Sequence, residues 1–178
     1  MRTFFVVLLA GTLALAGCGY STKSLFSDEF KTIYVDNFKN MINITAEQTN
    51  LRMYRGYRPG MEVDMRKTVI EKFLIDGNLK ISKEDKADLI LKANFIDYKR
   101  EAIGWDSNDN VEEYRIKLVV DMELIDVKNG RTKWTEKGFT GEKDYRTTGG
   151  LATSESSALI EAEKDLARRI VERIVEEW

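Results

Sequence analysis

Cys18 is the only cysteine in the chain, and there is no histidine at all. Those two facts bound the chemistry. Without histidine the commonest general base, the commonest metal ligand and the usual pH switch are all missing. With one thiol there is neither a disulfide nor a thiolate metal cage. Carboxylate, lysine or tyrosine chemistry is what remains, and no paired-carboxylate, nucleophile or phosphate-loop pattern stands out. The adjacent acids Glu112-Glu113 and Glu176-Glu177 fall at element ends and read as solvated surface. The reading is therefore of a protein that is no enzyme, with no catalytic residue, no metal and no cofactor.

Two other places carry recognition chemistry. Arg52, Arg55 and Arg58 alternate with Met53, Tyr54 and Tyr57 in a stretch without clear periodicity. Guanidinium forks match phosphate oxygens, so this loop is a candidate contact for an anionic lipid; the plainer alternative is a surface loop with three arginines. Trp105 follows Gly104 in a turn cluster, where an indole either enters a membrane or partner or folds back over the sheet edge. A formal net charge of −2 offers no basic footprint for nucleic acid.

The surroundings of Cys18 say what its thiol does. Arg2 and an apolar run over residues 4–15 read as a secretory signal, too short for the ~20 residues that span a bilayer. Leu15-Ala16-Gly17-Cys18 resembles the lipobox of bacterial lipoproteins. The resemblance implies cleavage before Cys18 and acylation, palmitate included, of the thiol and the new amino group. More than one chain gives stable anchoring. Residues 1–17 are then a lipoprotein signal peptide, residues 18–30 a lipidated cysteine and tether, and residues 31–178 a single domain. Gly19 stands where an aspartate resembles an inner-membrane retention signal, which favours the outer membrane.

The elements of that domain are legible from periodicity. Residues 31–38 are rich in β-branched and aromatic types and read as a strand. The segment from 40 to 59, with the Arg/Tyr stretch, reads as a long loop, a length usually mobile or functional. Pro59 opens a helix expected over 59–76, where Met61, Met65, Val69 and Phe73 form a stripe with Ile70 and Leu74 beside it. Residues 79–82 suit a short strand. Residues 87–100 read as a second long strand with Leu89, Leu91, Ala93 and Phe95 on one face, although Ile90 and Ile96 blur the alternation. Residues 113–126 alternate cleanly, so one side packs on a core and the other meets water or a partner. Asn129-Gly130 marks a hairpin into a strand over 131–140, followed by a polar loop over 141–150. Thr153 or Ser154 can cap a last helix whose stripe is Leu159, Ala162, Leu166, Ile170 and Ile174. The expected fold is α+β: a two-layer sandwich of about four mostly antiparallel strands, two amphipathic helices on one face, in the order β-α-β-β-β-α.

In this order the chain resembles a known family. The resemblance rests on Cys18-Gly19-Tyr20, Lys31-Thr32-Ile33-Tyr34-Val35, Asn37-Phe38, Phe73-Leu74-Ile75-Asp76-Gly77, Ala87-Asp88-Leu89-Ile90-Leu91, Glu113-Tyr114-Arg115, Lys133-Trp134 and Ala167-Arg168-Arg169-Ile170-Val171. It is to the lipopolysaccharide-assembly lipoproteins LptE. The resemblance implies an outer-membrane lipoprotein facing the periplasm that binds and plugs or supports an LptD-type β-barrel translocon, with lipopolysaccharide as a further possible contact. Cys18 is the residue whose family role transfers. The competing expectation is a periplasmic activator or secretion-pore lipoprotein of similar sandwich fold.

Overall fold

A computed structural model describes residues 30–42 and 58–176, together with the backbone of Met53 and Tyr54. The strands are β1 (Thr32–Val35), β2 (Lys39–Asn40), β3 (Met53–Tyr54), β4 (Lys80–Ile81), β5 (Leu89–Trp105), β6 (Val111–Asp126) and β7 (Arg131–Arg146). Helix α1 is Met61–Asp76 and α2 is Glu155–Val175, with a 3₁₀ turn at Glu84–Lys86. The class is α+β as expected, but the sheet has seven strands rather than about four. The element order is correspondingly β-β-β-α-β-β-β-β-α, with the 3₁₀ turn set aside.

The sheet order is β4-β1-β5-β6-β7, and β2 and β3 also pair with β5. It is mixed: the long β5, β6 and β7 pair antiparallel as expected, but β1 runs parallel to both β4 and β5, and β2 is parallel to β5. The extra strands are short pieces laid along the one edge of the 17-residue β5. A parallel register has no turn to set it, so side chains must. Asp88 does this at the start of β5. Its Oδ2 accepts from the Lys31 and Thr32 amides at 2.8 and 2.9 Å and from the Thr32 hydroxyl at 2.8 Å. The hydrogen bond from the Lys31 amide holds the Asp88 carboxyl below its ordinary range against the opposing effect of burial.

A β-bulge explains the blurred alternation of β5. Phe95 faces Val120 and Asp97 faces Val119, so Ile96 is an extra residue. The buried set therefore changes phase, from Leu89, Leu91, Ala93 and Phe95 to Tyr98. In β7 a second bulge lies beside it, where Gly138 takes a φ of 66° and donates to Asp121 Oδ1 at 2.8 Å. In β6, which carries no extra residue between Ile116 and Leu124, Ile116, Leu118, Val120, Met122 and Leu124 are buried in strict alternation.

Helix α2 lies over β6 and β7, α1 over β1 and β4, and the two helices pack on each other above one core. The sequence-based loop over 141–150 is in its first part strand, and its start decides how close α2 comes. A Cβ on Gly141 would stand 2.4 Å from the Leu166 Cβ and 2.6 Å from its Cα, so the helix rests directly on bare backbone. Ser154 is the cap of α2, its Oγ accepting from the Ser157 amide at 3.1 Å. Helix α1 starts at Met61 rather than Pro59, because Gly60 at φ 98° occupies its cap position with no side-chain cap. It ends as read, at Gly77 in the left-handed region.

Candidate functional site

Arg58 is the described member of the Arg/Tyr stretch whose side chain can be followed, and it is held by protein. Its guanidinium donates to Glu155 Oε1 at 3.0 Å and to the Ser156 hydroxyl at 3.2 Å. Glu155, in the first turn of α2, is the hub. It also accepts from the Tyr98 hydroxyl at 2.9 Å and from Arg100 at 2.7 Å. Both of these stand on β5 beyond the bulge, so the phase change at Ile96 is what points them at the helix. Arg100 lies 4.8 Å over the Tyr114 ring, which stacks on Tyr145 at 5.8 Å. Burial pushes Glu155 up, but hydrogen bonds from Tyr98 and Arg100 outweigh it and hold the carboxyl below its ordinary value. Burial and the Glu155 hydrogen bond keep Tyr98 a protonated phenol far above its usual range.

The expected recognition residues are thus divided. Arg58 ties the chain to α2 and is not a free cation. Tyr54 is placed by its backbone in β3, opposite Arg100. Cys18, Arg52, Arg55 and Tyr57 lie outside the described residues. Trp105 is 54% exposed at the end of β5. The turn beyond it is tied by Asp106, whose Oδ1 accepts from the Asn108 and Asn110 amides at 2.7 and 2.9 Å.

Two surfaces remain that periodicity alone did not bring forward. The first is the outward side of α1, where Val63, Leu74 and Ile75 are 71, 66 and 78% exposed. Leu74, expected to lie beside the buried stripe, points away from it. Positions 63 and 74 are eleven residues apart, three helical turns, so the wheel does contain this signal. The second is the sheet face without helices. There Arg115 holds Asp144 through two bonds of 2.6 and 2.8 Å, and Lys117 meets Glu142 at 3.8 Å. Beside the paired bulges this face holds a cleft of about 460 Å³, edged by Lys39, Lys92 and Lys137 among Asp36, Asp121 and Glu123.

Among the described residues no group of three or more acids could hold a metal ion, and no helix is long and apolar enough to cross a membrane. What these residues present is a polar face, an apolar helix flank and an exposed indole.

Comparison with known proteins gives a family and several structures of similar fold. The family model described as LptE, lipopolysaccharide-assembly, matches residues 30–175. No curated protein sequence matches the chain. The hypothetical protein CT253 of Chlamydia trachomatis is similar in structure, with a TM-score of 0.53 at 10% identity over 82% of this chain and 95% of that one. Protein XCC0632 of Xanthomonas campestris gives a TM-score of 0.50 at 10% identity, covering 82% and 84%. The rare lipoprotein B of Shewanella oneidensis gives 0.43 at 14% identity, covering 80% and 91%.

Proposed function

Because the chain belongs to the LptE family of lipopolysaccharide-assembly proteins, we propose that it is a lipoprotein of the outer membrane, anchored through Cys18 on the periplasmic side, that binds and plugs or supports an LptD-type β-barrel translocon. The family match over residues 30–175 carries this reading. Its action is adhesive, with no reaction of its own. Three features suit a barrel partner. The uncovered sheet face is polar, and on it Arg115 and Lys117 are paired with Asp144 and Glu142, which suits a water-lined wall. Trp105 projects from a hairpin end, and the Val63 and Leu74 flank of α1 gives a second, apolar contact. Residues 1–17 are removed and residues 18–30 tether the domain. Arg52 and Arg55 are the cations proposed to meet lipopolysaccharide phosphates; Arg58 serves the fold.

The test is detergent co-purification from native outer membranes through a C-terminal tag. A large heat-modifiable barrel in near-equal amount is the expected result. A lone monomer, or a peptidoglycan synthase, would replace this reading with the activator one. Cys18→Ser is expected to leave an unprocessed inner-membrane precursor. Arg52→Ala with Arg55→Ala is expected to weaken lipopolysaccharide binding without loss of folding; unchanged affinity would remove the loop from the site.

A further inference from the structure

The two ends of the sheet differ in charge. Strands β1, β4 and β5 are parallel and begin together. The β6–β7 turn over 127–130 returns beside them, its Val127 amide donating to the Asp88 carbonyl at 3.0 Å. Helix α1 ends here too, because residues 77–79 join it directly to β4. The Lys80 amide donates to the Lys31 carbonyl at 2.9 Å and the Thr32 hydroxyl to the Lys86 carbonyl at 3.3 Å, so several basic residues are gathered by their backbone.

The exposed cations of this end are Lys31, Lys80, Lys83, Lys86, Lys128 and Arg131. The exposed acids are Asp76, Glu84 and Asp85, half as many. Among the described residues Lys80, Lys86 and Lys128 form no ion pair. Between them stand two bare aliphatics, Ile75 at 78% and Val127 at 41% exposure. The opposite end is the reverse: residues 102–114, around Trp105, hold Asp106, Asp109, Glu112 and Glu113 and neither lysine nor arginine.

The chain's own geometry says which end meets the bilayer. Phe30, 5% exposed, is fixed at the basic end, with Lys133 Nζ 4.2 Å from its ring. Residues 19–29 separate it from Cys18 and reach at most roughly 40 Å. The Trp105 end lies a whole β5 away, 17 residues or roughly 50 Å. We propose that the basic end docks on the anionic phospholipid headgroups of the leaflet that holds the anchor, a role that rests on acylation of Cys18. Lysines meet phosphate, Ile75 and Val127 enter the interface, and the acidic Trp105 end is kept away from that layer.

The test uses the whole protein, purified from membranes and reconstituted in vesicles of pure phosphatidylcholine or of phosphatidylcholine mixed with phosphatidylglycerol. Lysine acetylation rates are read by mass spectrometry. Lys80, Lys86 and Lys128 are expected to react at least about threefold more slowly on the anionic vesicles, while Lys137 and Lys143 of β7 are unchanged. High salt should erase the difference. Equal rates on both vesicles, or equal slowing of all five lysines, overturn the docking. Slowing found only in the co-purified barrel complex also overturns it, since the barrel would then be the occupant. Flotation with pure phosphatidylcholine vesicles reports the anchor alone; its loss overturns the anchor and the docking together, whereas flotation without slowing overturns the docking only. Ile75→Asp with Val127→Asp is expected to abolish the slowing and leave the melt unmoved; persistent slowing refutes the part given to the aliphatics.

Discussion

The two helices rest on one core, yet they are made differently. Helix α2 is one-sided. Leu159, Ala162, Leu166, Ile170 and Ile174 are buried, and its outer charges close on each other through Arg168 with Asp165 and Glu172. Its N-terminus is capped by Ser154 and further held by Arg58, Tyr98 and Arg100 through Glu155. Helix α1 buries Met61, Met65, Val69 and Phe73, but Val63 and Leu74 sit nearly opposite them in solvent. It has no side-chain cap. A helix apolar on both flanks that uses one of them has contact area to spare. The difference teaches that α2 holds the fold together, whereas α1 has a side left for something outside it.

The comparison can be broken most forcefully at Gly141. Gly141→Ala puts a methyl against Leu166 backbone at 2.6 Å, so α2 must lift. The expected loss is about 3 kcal/mol or more by denaturant unfolding. No equivalent substitution under α1 is expected to act through backbone contact. Glu155→Gln comes next. It leaves Arg58 and Arg100 without their carboxylate, at a cost of about 1–3 kcal/mol. Because the Glu155 carboxyl is held below 4.5, its stabilisation is present above that pH and lost beneath it. The variant should lack that share of the acid-side fall in a pH series of melts. Ser154→Ala is smaller, about 1 kcal/mol, from loss of the cap bond to Ser157. Leu74→Ser sharpens the contrast from the other side. Stability should stay within about 0.5 kcal/mol, while capture of the barrel partner declines. An unchanged capture would return α1 to a purely structural part.

Glu155 and Glu163 repeat the contrast within α2. They are eight residues apart, and their carboxyls are shifted in opposite directions. Both are penalised by burial; donors from β5 compensate the first, and nothing comparable meets the second. No spacing rule distinguishes them, because the donors come from residues more than fifty positions away.

Much of the architecture was open to pattern reading. The period of two in β6 and the stripe and cap of α2 are local properties, expressed wherever such a segment finds an apolar surface. The Gly77 terminus of α1 is of the same kind. Of the short strands, β4 was legible over residues 79–82, whereas β2 and β3 were not. β2, β3 and β4 have two residues each and exist because a long β5 and the parallel β1 offer open backbone groups. The bulge at Ile96 was visible as a blur, but its meaning required the partner strand. The candidate site was less legible still. Arg58 looked like a ligand for an outside anion until Glu155 appeared beside it, and Leu74 looked like core until the helix was rotated onto its neighbours.

Residue order alone thus determined the class, the long strands and helices, and the absence of histidine chemistry, since each depends on types and near spacing. The tertiary structure decided the mixed sheet, the hub at Glu155, the isolation of Glu163 and the side of α1 left outward. Those depend on which distant backbone and charge arrive at the same place, and near spacing carries no record of that.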